Sequence, residues 1–357
     1  MHHRIGLVGC GGISRVWVKA TGSHPDCEIV LVYDPNEEAS AARAEEAGAP
    51  VAATYEALLD SSNVDVVIVC TPTFTHRDLV VQAAEAGKHV ICEKPMALTI
   101  GQCQDMVDAC AAANVKLAVG HTIRFWGAFL TTRRLIEEGL IGTPCLGQIH
   151  RVGSSRSGQA GTPPPLRSRK PWRFDTRYSG GNILESSVHE LDFIRAVFGD
   201  VASIYCGISG KEDYDGHISP VMLQALISFE NGSSVVFRQG GIVGLPGLVY
   251  WVSGTSGALA FDGWDDPVKH HRPGAEEPEL FPCSDVLAFE LELADLFGAI
   301  ENDTEPENSG ITGLKNIALG LALYRSIETG QPMTFTDGLP DDVDRDYQYR
   351  GPNAIKE

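Results

Sequence analysis

At 357 residues, 43% apolar and 21% charged, the chain has the make-up of an ordinary globular protein and length enough for two domains. A net charge of −19 excludes binding to a DNA or RNA backbone, which needs clustered cations. No apolar stretch approaches the roughly 18 residues that cross a membrane, and nine scattered cysteines without a C-x-x-C pair exclude a disulfide framework in favour of a reducing compartment. The chain enters a strand almost at once, which leaves no room for a signal peptide, so a soluble, cytoplasmic protein is expected.

Residues 4–9 form an apolar strand that runs into Gly9-Cys10-Gly11-Gly12-Ile13-Ser14, and a helical pattern follows through Trp17, Val18 and Ala20. This is the G-x-G-x-x-small pattern of a phosphate-binding turn. Gly9 permits the tight turn, and Gly11 lets a pyrophosphate approach the backbone. Ser14 stands where helix–strand packing needs only a small residue. The helix N-terminus adds free N–H groups and a positive dipole end. A second strand over 28–33 ends in Asp34, at the spacing of a carboxylate that bonds the adenosine ribose hydroxyls. Its charge would repel a 2′-phosphate, so NAD is favoured over NADP.

Strands and helices then alternate. Helices are predicted over 36–48 and 54–60 with a short strand near Val51 between them; a strongly apolar strand over 64–70 leads to Thr71-Pro72-Thr73-Phe74-Thr75-His76 and a helix to 86. The next strand, 88–92, ends in Glu93-Lys94-Pro95, where proline removes a ladder donor and stops the strand. A helix over 99–113 and a strand over 115–119 complete the series. Such alternation predicts an α/β Rossmann domain, a doubly wound parallel sheet, here assigned to residues 1–122. Its ligands bind beyond the carboxyl ends of the strands, so the loops 9–14, 71–76, 93–95 and 120–124, the last carrying His121 and Arg124, can converge.

From residue 123 to 357 the pattern is that of a second, α+β domain with a mainly antiparallel sheet: a helix over 126–138, strands over 145–153, 201–209, 221–230, 233–240 and 248–261, and helices over 285–302 and 310–329. The stretch from Asp337 reads as polar, acidic and irregular. The segment 154–182 carries six basic residues and one acid; a solvated loop or oligomer arm, or a cover over an anionic substrate, would each suit it. After Gly180-Gly181-Asn182, the residues Leu184, Val188, Leu191, Ile194 and Phe198 form an apolar helical face. Beside it Glu185, His189 and Asp192 make an ionisable stripe at i, i+4 and i+7, in which a carboxylate one turn away could orient a proton-carrying histidine.

Taken in order, Gly9–Ser14, Thr71-Pro72 with His76, Glu93-Lys94-Pro95, Trp172-Arg173, and Gly180-Gly181 followed by Glu185 and His189 resemble the glucose–fructose oxidoreductase / inositol dehydrogenase / rhizopine-catabolism (Gfo/Idh/MocA) oxidoreductases from residue 4 to about 335. The resemblance implies hydride transfer between a nicotinamide and a secondary hydroxyl or carbonyl of a sugar, inositol or related polyol. It implies Lys94, His189 and Glu185 as catalytic residues. Substrate contacts are expected from the same three with His121 and Arg124. Cofactor contacts are expected from Gly9, Gly11, Gly12, Ile13, Ser14, Asp34, Thr71, Pro72, His76, Glu93, Lys94, Trp172 and Arg173. The resemblance also implies that the second domain's sheet is large and open-faced; a homodimer or homotetramer is expected, and no metal. Two positions depart from the commonest family pattern, Asn182 for a third glycine and Glu185 for an aspartate, which keeps the charge and reaches one methylene further. Removing a proton from an alcohol at neutral pH needs a base or a cation that stabilises the alkoxide, and Lys94 and His189 could supply both. The rival readings are a glycosidase that oxidises its substrate transiently on a retained NAD, and a non-catalytic NAD-binding protein.

Overall fold

The computed structural model describes residues 1–153, 175–214, 217–241 and 247–349. The chain divides into two compact units, Met1–Phe125 with Val286–Leu314, and Trp126–Asp285 with the chain from Lys315 onward.

The first unit opens with β1 (His3–Val8), α1 (Ser14–Ser23), β2 (Cys27–Tyr33), α2 (Glu37–Ala47), α3 (Tyr55–Leu59) and β3 (Val66–Val69). It continues with α4 (His76–Glu85), β4 (His89–Cys92), α5 (Ile100–Ala112) and β5 (Leu117–Val119). The strands lie in the order β2-β1-β3-β4-β5 and every pair is parallel. All their carboxyl ends therefore share one edge. The strands read as continuous apolar runs because helices cover both faces, and Val66 to Val69 are all buried. Side-chain caps fix three helix starts: Asn36, Thr54 and Thr99 accept the backbone N–H of Ala39, Ala57 and Gln102. The short strand expected near Val51 is a single bridge to Val32.

The second unit begins with α6 (Gly127–Glu137) and β6 (Pro144–Gly153), then α7 (Thr176–Ser179), a π-helical turn at Ile183–Ser187 and α8 (Val188–Phe198). Strands β7 (Val201–Tyr214), β8 (His217–Phe229), β9 (Ser234–Gly241), β10 (Gly247–Gly254), β11 (Ala258–Phe261), β12 (Val268–His271) and β13 (Glu279–Phe281) follow. After α9 (Ala288–Asn302) and α10 (Gly310–Thr329), β14 (Met333–Thr336) and β15 (Leu339–Pro340) close the sheet. Ten strands run in the order β13-β12-β11-β10-β6-β9-β8-β7-β14-β15, antiparallel except for the parallel pair β6–β9. The expected single strand over 248–261 is two, β10 and β11, separated by a turn in which Gly254 N–H donates to Gly257 O at 2.8 Å. The short strands β12 to β15 were not legible in the sequence.

One face of this sheet packs on α8, where Phe193 meets Tyr250 at 5.3 Å and Phe261 at 5.8 Å. The other alternates outward. Tyr205, Leu226, Val236, Gln148 and Trp251 are paired in register across five strands, so they form one row. From Asp337 to Tyr349 the chain is largely irregular as expected but not simply solvated: Tyr349 is buried and stacks on Tyr324 with ring centroids 3.9 Å apart.

The helix α9 belongs to the first unit despite its place late in the chain. Leu293, Leu296 and Phe297 share a core with Ile5, Leu7 and Trp17, and Phe289 meets the Trp17 ring edge-on at 4.9 Å. Each such buried side chain contributes about 1.5–3 kcal/mol. Among the described residues, no helix is long and apolar enough to cross a membrane.

Candidate active site

The glycine loop is built from both sides. Gly9 has φ +89°, and a Cβ there would lie 2.7 Å from the Cys70 carbonyl carbon, so backbone angle and close strand approach both demand glycine. At Gly11 and Gly12 an added Cβ would meet no protein atom within 4 Å. Nothing in the chain's own packing requires those two glycines; they leave open space at the start of α1. That helix has no side-chain cap and no acid in its first turn. Ten residues long, it presents unsatisfied N–H groups to the space. A pyrophosphate fits such a cradle.

Beneath the loop, Ser14 is buried and its hydroxyl donates to Gly11 O at 2.7 Å. The Asp34 carboxylate accepts from Cys10 N at 2.7 Å and Asn36 N at 2.8 Å. Each of its oxygens keeps a second lone pair for a ligand hydroxyl. Arg43, only 3% exposed, pairs with Glu46 and donates to the carbonyls of Cys10 and Gly11 at 3.4 and 3.3 Å. Burial, reinforced by the Asp34 charge, pushes the Cys10 thiol up to about 12, so it stays a neutral packing group.

The loops after β3, β4 and β5 meet at the same edge. His76 is buried, with Nε2 at 2.8 Å from Thr71 O and Nδ1 at 2.9 Å from Pro95 O, so its ring ties the 71–76 loop to the Glu93–Pro95 turn. Glu93 is 5% exposed; it accepts from the Trp17 indole N–H at 2.8 Å and from Lys94 N at 3.1 Å. The strand that carries Lys94 is thereby pinned to the helix that carries the glycine loop. Beyond β5, His121 is fully buried and Arg124 partly exposed, in the turn Thr122–Phe125. Thr122 donates to the buried Glu292 at 2.8 Å, and Asn308 bonds that carboxylate at 2.5 Å and Val119 O at 2.7 Å.

In the second unit, Glu185 lies in the π turn and is buried, while His189, at the start of α8, is partly exposed. The expected α-helical stripe is therefore broken: a π turn holds an extra residue, so Glu185 and His189 are not one regular α turn apart. Asp192 is buried and accepts from Asn316 at 2.6 Å, which makes it a packing carboxylate rather than part of a solvated face. The turn is held by Tyr324, whose hydroxyl donates to Gly180 O at 2.8 Å and accepts from Ile183 N at 3.1 Å. Trp172, Arg173 and the basic stretch up to residue 174 lie outside the described residues.

Sequence reading missed Trp17, Arg43, Glu292 and Asn308. Trp17, a large residue one turn into a helix that needs small residues at its start, was visible as an oddity, whereas Arg43 on an alanine-rich helix reads as an ordinary solvated charge. Glu292 and Asn308 come from a distant segment, and no local pattern marks them.

A parallel sheet with a glycine loop and an acid at its carboxyl edge defines a dinucleotide-dependent enzyme. Residues 3–121 match the oxidoreductase family with an NAD-binding Rossmann fold, and residues 129–260 match the Gfo/Idh/MocA C-terminal domain. The chain is 32% identical over 359 residues to a 1,5-anhydro-D-fructose reductase of Ensifer adhaerens, covering 94% of this chain and 100% of that one. It is 31% identical over 260 residues to a 2,7-anhydro-N-acetylneuraminate hydratase of Escherichia coli (strain K12), covering 72% of this chain and 67% of that one. A levoglucosan dehydrogenase in complex with NADH and levoglucosan shares the fold, with TM-score 0.83, 21% identity, and 94% and 99% of the two chains covered. The chain belongs to the Gfo/Idh/MocA family and is an NAD(P)-dependent oxidoreductase.

Proposed function

We propose that the protein reversibly oxidises a secondary hydroxyl of a sugar, inositol or related polyol, with NAD preferred to NADP. The observation that carries this reading is Lys94 at the carboxyl end of β4, beside a buried Glu93 that is bonded to Trp17 of the glycine-loop helix. When bound, NAD supplies the hydride acceptor. Lys94 and His189 divide the work on the hydroxyl proton: one accepts it, the other stabilises the negative charge growing on oxygen. Glu185, buried in the π turn that precedes the helix of His189, supplies a carboxylate to the same site. Gly9, Gly11, Gly12, Ile13 and Ser14 cradle the pyrophosphate. Asp34 takes the ribose hydroxyls and repels a 2′-phosphate. Thr71, Pro72, His76 and Glu93 shape the wall behind the nicotinamide, and His121 and Arg124 contribute to substrate binding.

The second reading is a glycosidase whose oxidation is transient, NADH being consumed in the same cycle; a relative named a hydratase fits it only in part. A spectrophotometric panel of sugars, cyclitols and sugar acids separates the two. Net NADH formation with at least one polyol is expected. Product formation without accumulated NADH, on an enzyme that keeps its cofactor, would support the second reading instead. We also propose a homo-oligomer built on the open sheet face, whose row of Tyr205, Leu226 and Trp251 is exposed.

A further inference from the structure

In the second unit, Trp264 stands in the turn after β11 and is held at both polar ends. Its backbone carbonyl accepts from Ala128 N at 2.8 Å, and its indole N–H donates to Tyr250 Oη at 2.8 Å. The Tyr250 hydroxyl passes the bond on to Glu190 Oε1 at 2.8 Å, on a carboxylate with no exposed surface. Arg151 Nε lies 2.9 Å from the same oxygen, its Nη2 donates to Ser186 O, and its guanidinium sits 5.7 Å from the Trp264 ring centroid. Burial pushes the Glu190 carboxyl above its usual range, while Arg151 and the tyrosine hydroxyl pull it back. Trp264, Tyr250, Glu190 and Arg151 thus form one connected chain: indole N–H to hydroxyl, hydroxyl to carboxylate, and carboxylate against guanidinium.

What remains of Trp264 is an apolar ring in a fixed orientation, and part of it reaches solvent. Its neighbours are the His189 imidazole, 6.4 Å away between ring centroids, and the half-buried Trp126, edge-on at 5.4 Å. An aromatic face rich in π density attracts the weakly positive C–H bonds on one side of a saturated ring. A rigid platform loses little entropy when it binds. Among the described residues of this unit, the cation recorded against the ring is Arg151, and it is already committed to Glu190 and Ser186.

We propose that Trp264, flanked by Trp126, is a stacking wall that takes the C–H face of a neutral cyclic polyol or pyranose beside His189. This rests on the reading of His189 as a group that works on the substrate hydroxyl. It goes beyond it in naming a platform and in preferring neutral rings to sugar acids.

The test is saturation-transfer NMR on the full-length protein saturated with NADH, using methyl β-D-glucopyranoside and methyl β-D-glucuronide as probes. Transfer to the ring C–H protons of the glucoside, and little to the glucuronide, is expected. Trp264→Ala should weaken glucoside binding by on the order of ten-fold, Trp264→Phe should retain most of it, and NADH affinity should not move in either. If Trp264→Ala fails to fold, Tyr250→Phe releases the indole tether together with the bond to Glu190, keeps the ring at 250, and should also reduce transfer. No transfer from the wild type, equal transfer in a folded Trp264→Ala protein, or a preference for the glucuronide would each overturn the proposal. His189→Asn separates this from the underlying reading. It should lose NADH formation on the polyol panel, while whatever transfer to the glucoside remains still depends on Trp264; retained formation would defeat the role of His189 and leave the stacking result standing.

Discussion

Asp34 and Arg43 hold the glycine loop from below, one by its N–H groups and the other by its carbonyls. Asp34 was legible because a carboxylate at the end of a second strand has a recognised spacing. Arg43 was not, since a charged residue on a short alanine-rich helix reads as solvated, and only tertiary packing buries it. The two make different demands on a cofactor. Asp34→Ser keeps an acceptor for Cys10 N but removes the charge that repels a 2′-phosphate. The ratio of kcat/KM for NAD over NADP should fall by on the order of ten-fold, the equivalent of about 1.4 kcal/mol. An unchanged ratio would count against Asp34 as the residue that reads the ribose.

At the level of elements, the parallel sheet and its loops were readable because strands buried on both faces are continuous apolar runs with glycine, proline or polar residues at their ends. The helix carrying Glu185 and His189 was read only in part. A π turn has no sequence period of its own, and here it depends on Tyr324, some 140 residues away. The return of α9 to the first unit was likewise invisible to local pattern.

His89 shows how an element's fit sets a pH limit. Its Nδ1 accepts the N–H of Lys116 at 3.0 Å, a bond that a proton on that nitrogen would break. Burial, then the positive charges of His3 and Lys116, hold its pKa below the ordinary 6.5. The unfolded chain therefore takes up a proton that the folded one resists. Stability is full above the unfolded value and is lost as pH falls through 6.5 and below. The drop in Tm from about pH 7.5 to about 5.5 should be smaller in His89→Gln than in the wild type. Equal drops would show that His89 does not couple to folding.

For the whole molecule, the second sheet poses a question of solubility. Tyr205 is 50% exposed, Leu226 51% and Trp251 38%, and register places them in one row on the open face. The proposed homo-oligomer would cover this apolar row with a second copy. Trp251→Asp should shift the protein to a smaller species in light scattering. A monomeric wild type, or an unchanged mass in the variant, would contradict that assignment.

The family assignment and the dinucleotide fold rest on both units, but the chemistry is assigned to few side chains, and Lys94 is the first of them. The most direct measurement is steady-state turnover of Lys94→Ala on the polyol found by the NADH panel, alongside its NAD titration. The account predicts turnover reduced by on the order of 10²-fold or more, with NAD affinity within about two-fold of the wild type. Near-normal turnover would contradict it.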